Sequence, residues 1–112
     1  MTNINIINPE TKESVYVEVK GLYAPKRLQF LTEHSPKYVY DMYINGELQK
    51  YTEDFEESTG NAIMNLFIRI RNNNDDYNKA QALGDIELAE RLANNDMERA
   101  KQVMMRERVY VL

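Results

Sequence analysis

The chain has 112 residues, no cysteine and a formal net charge of −4 at pH 7. The lack of cysteine excludes disulfides, thiolate metal sites and cysteine nucleophiles, and the acidic balance argues against a strongly basic nucleic-acid-binding surface. Hydrophobic residues make up 43% and charged residues 29% of the chain, which predicts one globular domain over residues 1–112.

Neither export nor a membrane span is indicated by the sequence. The N-terminus has no basic start followed by an apolar run of signal-peptide length. The longest nearly apolar stretch, residues 62–70, is too short to cross a bilayer. Since the absence of cysteine also suits a reducing compartment, we expect a cytoplasmic protein without membrane contact.

Residues 1–20 are predicted to form a β-hairpin. The segments Asn3–Ile6 and Ser14–Val19 alternate polar and apolar residues, which is typical of half-buried strands. The polar segment 8–13 between them contains Pro9 and suits a turn. Because a lone hairpin is marginal in water, its apolar face must pack on helices or on another chain.

The remaining residues, 25–112, have helical periodicity. Pro25 suits a first helical turn, and that helix should end near His34. The dipeptide Ser35–Pro36 predicts the start of a second helix, which Asn45–Gly46 ends.

The third predicted helix is the longest and runs from Leu48 to Ile70. Gly60 lies in its middle and indicates a kink, a close helix crossing or a break into two helices. Residues 72–76 are predicted to form a loop.

A short helix is predicted for Tyr77–Leu83, and Asp85 can cap the next one. The pair Asn94–Asn95 then predicts an interruption, with Asn95 and Glu98 forming a variant capping box for a last helix that frays at the C-terminus. The predicted fold is therefore mainly α (α+β), with an N-terminal β-hairpin packed on a compact bundle of four to five helices.

No catalytic or cofactor-binding pattern stands out. His34 is the only histidine, and the adjacent Glu33 does not face it on a helix, so we interpret His34 as a helix-terminal residue favoured by the macrodipole. The four glycines are too far apart for a phosphate-binding loop. We predict no enzyme, no metal and no cofactor; an enzyme would need His34 beside a carboxylate in a pocket.

Two groups of side chains are candidates for binding a protein partner. Tyrosine is enriched at interfaces, and carboxylates can fit a basic groove. The acidic group lies on the polar face of the third helix and consists of Glu53, Asp54, Glu56 and Glu57. The tyrosine group lies on the second helix and consists of Tyr38, Tyr40 and Tyr43. The alternatives are a merely solvated acidic face and tyrosines that reach the rim of the core.

Two further charged regions stay open as interaction surfaces. Residues 75–95 carry five acids against two bases and form a second acidic cluster. Lys26, Arg27 and Lys37 lie near aromatic residues, which would suit single-stranded nucleic acid.

Two blocks of the chain resemble the TnpV family of transposon-encoded proteins. The first block has the sequence LYAPKRLQFLTEH at residues 22–34, followed by residues 38–43 and Gly46-Glu47-Leu48. The second is KQVMMRERVY at residues 101–110. Ala24 replaces a family glycine, Glu47 replaces a lysine, and the tryptophan before the last helix is missing. The resemblance implies a mobile-element or phage origin in a Gram-positive bacterium and supplies no activity.

These patterns favour a non-enzymatic interaction protein, and the resemblance implies that it belongs to a mobile element or phage. Its acidic helix faces could inhibit a host nucleic-acid-binding defence effector, such as a CRISPR nuclease, in the manner of an anti-CRISPR protein. The alternative is a small DNA-associated accessory or regulatory protein of a transposon. A homodimer through the hairpin edge or the tyrosine-rich helix is also open.

Overall fold

Two β-strands precede five α-helices and a terminal π-helical turn. The computed structural model describes all 112 residues. The elements are β1 (Thr2–Ile7), β2 (Ser14–Val19), α1 (Ala24–His34), α2 (Pro36–Ile44), α3 (Leu48–Asn72), α4 (Asp75–Ala82), α5 (Ile86–Met104) and the π-helical turn (Met105–Val109). The predicted fold class, mainly α with an N-terminal β-hairpin, is confirmed.

The hairpin is antiparallel and pairs Thr2 with Val19 at one end and Ile7 with Ser14 at the other. Its turn is held by Asn8, whose Oδ1 accepts a hydrogen bond from the Glu10 N–H at 2.9 Å. The alternation of the two strands places Ile4, Ile6 and the three valines of β2 on the face that packs against α1 and α2, whereas Ile7 is exposed.

The main hydrophobic core lies between the hairpin, α1, α2 and the start of α3. Nine buried residues form it: Ile4, Ile6, Val19, Ala24, Leu28, Leu31, Val39, Met42 and Leu48. Tyr51 and Phe55 on α3 pack against it from one side. The hairpin therefore gains the partner face that a lone hairpin lacks.

Helix α3 is continuous over its 25 residues, so Gly60 does not break it. Gly60 does not mark a close helix crossing either, since no atom lies within 4 Å of the position that its Cβ would take. Thr59 and Ile63 are buried on the inner face of the helix, where α3 packs against α5.

Helices α3 and α5 run antiparallel, with α4 at the turn between them. Arg108, beyond the end of α5, donates a hydrogen bond to Thr59 in the middle of α3 at 3.1 Å. Asn74, beyond the end of α3, donates to the carboxylate of Asp96 in the middle of α5 at 3.0 Å. Because the segment after each helix contacts the middle of the other helix, the two helices must run in opposite directions.

Two of the predicted boundaries in this region are wrong. Asp75 and Asp76 do not lie in a loop but form the first turn of α4, because the side chain of Asn74 caps the helix by accepting from the Tyr77 N–H at 3.2 Å. Helix α5 is not interrupted at Asn94–Asn95. The buried contact of Asp96 with Asn74 holds this segment in the helix, and tertiary contacts of this kind outweigh local capping preferences.

The predicted cap at Asp85 is confirmed, because its carboxylate accepts a hydrogen bond from the Leu88 N–H at 3.1 Å. His34 is also confirmed as the last residue of α1, where its ring lies 4.3 Å from that of Phe30. None of the helices combines the length and apolar composition that crossing a bilayer requires.

The molecule is a rod of 64 × 23 × 17 Å with a radius of gyration of 18.5 Å. A compact domain of this length would have a radius of gyration of about 13 Å. The helices are thus packed together in a longer shape than the predicted compact bundle. The hairpin, α1 and α2 form one end, and α4 with the neighbouring parts of α3 and α5 forms the other.

The C-terminus is tied to the first end by two arginines that both lie near Phe55. Arg27 on α1 donates to the Val109 carbonyl at 3.0 Å, to the Val111 carbonyl and to the Tyr51 hydroxyl. Arg108 donates to Thr59 and Ser58. Both guanidinium groups lie within 6 Å of the Phe55 ring centre, at 5.8 and 5.7 Å, so cation–π attraction adds to the hydrogen bonds.

Candidate interaction surface

Three of the predicted acidic residues of α3 are exposed together. Glu53, Asp54 and Glu57 all lie on the outer side of the helix. Glu53 accepts a hydrogen bond from Gln49 at 3.0 Å, and Asp54 pairs with Lys50 at 3.2 Å, each within one helical turn. Such exposed contacts contribute little to stability, so these carboxylates can exchange them for contacts with a partner at low cost.

Glu56 differs from its acidic neighbours because its carboxylate is bound within the fold. Its carboxylate accepts three backbone hydrogen bonds at the start of α1, from the N–H groups of Leu22 at 2.7 Å, Tyr23 at 2.8 Å and Ala24 at 2.7 Å. These are donors that a helix start leaves without intrahelical partners. Glu56 therefore caps α1 from α3, and its negative charge also favours the helix N-terminus.

Gly21 makes room for this cap, which leads to a first prediction. A Cβ at this position would collide with the Glu56 carboxylate, and the φ angle of Gly21 is +107°. We expect Gly21→Ala to lower the free energy of unfolding by about 2 to 3 kcal/mol, since clash and backbone strain add. Gly84→Ala is the matched control, because Gly84 also has a positive φ but open space around it. Equal losses in urea denaturation of the two variants would contradict the role of the collision.

The three candidate tyrosines of α2 lie in different surroundings. Tyr38 is 53% exposed and Tyr43 is 38% exposed, whereas Tyr40 is half-buried and packs against the core. The rings of Tyr40 and Tyr43 lie 6.1 Å apart. Of the three, Tyr40 is an extension of the core, and Tyr38 and Tyr43 are free to contact a partner.

A hollow of about 390 Å³ joins Tyr43 to Glu53. It lies between the end of β2, the end of α2 and the first turns of α3, and Leu48 and Val19 contribute to its apolar base. Glu18 on β2 lies at the same hollow. A phenol ring and two carboxylates from three separate elements thus converge, and one cation, Lys20 just beyond β2, lies at the same hollow. Because the two carboxylates outnumber this cation, the arrangement suits a side chain that is both basic and partly apolar.

Sequence patterns do not single out Glu18 and Lys20 as residues of this hollow. Both belong to the β2 region, where alternation indicated only which residues enter the core. No local signal shows that the end of β2 lies beside α3, because that proximity arises from the packing of the hairpin on the helices. The second acidic cluster, residues 75–95, lies on the other end of the rod and does not join this surface.

The basic residues considered for nucleic acid do not form a free patch. Lys26 and Lys37 are exposed. Arg27 is half-buried, and its guanidinium group is already bound to two backbone carbonyls and one hydroxyl. A phosphate would have to replace these internal contacts to reach it.

No group of three or more histidine, aspartate and glutamate side chains is placed to hold a metal ion. A larger groove, of about 730 Å³, lies beside β1 and is lined mainly by apolar parts of α1 and the C-terminal segment, including Phe30, Met105 and Tyr110. Lys26, Lys101 and Glu33 are at this groove as well, but it contains none of the predicted partner-binding residues.

The comparisons with known proteins give no relative for this chain. It matches no protein-family model, no curated protein sequence and no solved structure. The resemblance to the TnpV family therefore stays a prediction from the sequence.

Proposed function

We propose that the protein is a non-enzymatic interaction module of a mobile element or phage that binds a protein partner through an acidic surface. This acidic surface consists of Glu18, Tyr43, Glu53, Asp54 and Glu57. The observation that carries the proposal is the convergence of Tyr43, Glu53 and Glu18 at one hollow. Tyrosine supplies a large contact area at low conformational cost, and the carboxylates supply selectivity for cationic side chains.

The partner class follows from the charge of this surface. A protein that binds nucleic acid has a groove rich in lysine and arginine, and an acidic protein of suitable shape can occupy it in place of the phosphates. The exposed acids of α3 lie along a rod only 23 Å wide, which suits entry into a groove. We therefore propose a host defence effector with a nucleic-acid-binding groove, such as a CRISPR nuclease, as the partner to be inhibited.

The alternative of a DNA-associated accessory protein has less support. Its strongest candidate contact, Arg27, is engaged with the C-terminal backbone. Arg108 is engaged with Ser58 and Thr59 in the same way.

The test is competition with DNA on a panel of purified, guide-loaded CRISPR nucleases. Fluorescence anisotropy of labelled target DNA reports displacement by the protein. We expect wild-type protein to displace the DNA, and the variant Glu18→Lys, Glu53→Lys, Asp54→Lys to need at least about tenfold more protein, because each reversal replaces attraction by repulsion.

A second triple variant controls for net charge. Asp76→Lys, Glu87→Lys, Glu90→Lys changes the charge equally at exposed positions on α4 and α5. This control should compete as well as wild type, and thermal denaturation should show that both variants fold. Failure of wild type on every nuclease of the panel would contradict the proposed partner, and equal loss in both variants would contradict the proposed surface.

A further inference from the structure

One side of α3, next to the side that packs on α5, is exposed at its first residues and at Met64 and half-buried at Phe67 and Arg71. Its residues are spaced alternately by four and three, as in a coiled-coil seam: Glu53, Glu57, Gly60, Met64, Phe67 and Arg71. We call these six residues the α3 seam. Met64 is 46% exposed although it is apolar, and Ile68 beside the seam is 39% exposed. Helix α5 covers the adjacent side of α3, where Thr59 and Ile63 are buried.

Gly60 leaves an open space at the centre of the seam. A Cβ there would meet no atom within 4 Å. Glycine in a helix interior is less favourable than alanine, and nothing within this chain requires it. A glycine in this position is suited to accept a large side chain from an approaching helix.

The charges at the two ends of the seam are opposite. Glu53 and Glu57 lie at the N-terminal end, and Arg71 lies at the C-terminal end. The only ion pairs of the molecule within 4 Å are Lys50 with Asp54 and Lys101 with Glu98, so Arg71 has no acidic partner. Its guanidinium group lies over two aromatic rings, 5.3 Å from the centre of Phe67 and 5.8 Å from that of Tyr77 on α4.

We propose that α3 pairs antiparallel with α3 of a second copy of this chain. The two-fold axis passes midway between Gly60 and Met64, so that Met64 of each copy packs into the space at Gly60 of the other. In the same register Glu53 faces Arg71 of the second copy. Glu57 faces Phe67 of the second copy. Because the Arg71 guanidinium of that copy lies over its own Phe67 ring, the Glu57 carboxylate can also reach this guanidinium.

The geometry of this pairing is that of an antiparallel coiled coil with a shallow crossing. Glu53 and Arg71 each lie nine residues from the axis, about 14 Å along the helix. A crossing angle of about 20° keeps the helices close over that length, as in coiled coils, whereas a steep crossing would separate the charges.

Pairing with a second copy is independent of the proposed partner. The pairing would cover Glu53 and Glu57 and leave Tyr43, Glu18 and Asp54 outside, so a second copy and a basic partner would compete for part of the acidic surface. The variant Glu18→Lys distinguishes the two interactions, because it should lower the affinity for the basic partner and leave dimerisation unchanged.

Analytical ultracentrifugation of the full chain, over about 1 to 100 µM, tests the pairing. We expect a monomer–dimer equilibrium for wild type. Gly60→Leu should lower the dimerisation affinity at least about tenfold, because the new side chain fills the space that Met64 of the second copy would occupy. The fold should stay intact, because that space is empty in the monomer. Asn65→Leu adds the same side chain outside the seam and should leave the dimer unchanged.

A charge exchange tests the register. Glu53→Arg and Arg71→Glu should each weaken the dimer about tenfold, and the double variant should regain most of the wild-type affinity. A wild type that is monomeric over the whole range, a Gly60→Leu variant that dimerises as well as wild type, or a double variant no tighter than the single ones would each overturn the proposal.

Discussion

Replacing Glu56 by alanine is expected to lower the free energy of unfolding by about 3 kcal/mol. The substitution removes the acceptor of three backbone N–H groups at the start of α1. Hydrogen bonds to a charged acceptor contribute about 1.5 to 3 kcal/mol each when buried, and these are only partly buried, so their sum is reduced. Urea denaturation followed by circular dichroism measures the change.

Glu57→Ala is the matched control for this experiment. Glu57 has the same side chain one residue further along α3, but it is exposed and makes no hydrogen bond or ion pair. Its loss should change the free energy of unfolding by no more than about 0.5 kcal/mol. If the two variants were equally stable, Glu56 would not be the cap of α1.

Replacing Arg27 by alanine is expected to release the C-terminal segment and to cost about 3 kcal/mol. Arg27 donates to the Val109 and Val111 carbonyls and to the Tyr51 hydroxyl, and it lies over Phe55. Charged hydrogen bonds and a partly desolvated cation–π contact together supply a loss of this size. Chemical denaturation measures the stability, and amide hydrogen exchange measures the release of residues 105–112.

Arg27→Lys and Lys26→Ala sharpen this result. Lysine keeps the charge but not the planar set of donors that reaches two carbonyls and a hydroxyl, so Arg27→Lys should lose most of the same stability. Lys26 is the exposed neighbour and should be replaceable at a cost below about 0.5 kcal/mol. Unchanged exchange rates at residues 105–112 in Arg27→Ala would contradict the anchoring role.

Local patterns predicted most of the elements correctly. The alternation around Ile4 and Val17 indicated the hairpin. The capping residue Asp85 and the first-turn proline Pro36 each marked a true helix start. These signals depend on residues within a few positions of each other, which a sequence displays directly.

Apart from the helix start at Asp75, where the local cap by Asn74 went unrecognised, the errors come from contact between residues far apart in the chain. Asn95 has the composition of a helix cap, yet the bond between Asp96 and Asn74 keeps the helix running. Glu56 has the composition of a solvated acid, yet it binds backbone groups 32 to 34 residues away. Arg27 reaches carbonyls 82 and 84 residues away. Periodicity carries no information on such partners.

The candidate surface shows the same division. Helical spacing placed Glu53, Asp54 and Glu57 together, and the structure has all three exposed on α3. That Tyr43 and Glu18 lie at one hollow with Glu53 depends on three elements meeting, which only the structure reveals. The residues to be tested are therefore partly those predicted and partly new.

The most direct measurement of where a partner binds is photocrosslinking at Tyr43. A benzophenone amino acid replaces Tyr43 in one variant and Leu83 in another, Leu83 being 84% exposed at the far end of the rod. We expect the probe at position 43 to crosslink to the nucleic-acid-binding groove of a captured nuclease, and bound DNA to suppress the crosslink. Crosslinks from position 83 with none from position 43 would contradict the acidic surface as the site of interaction.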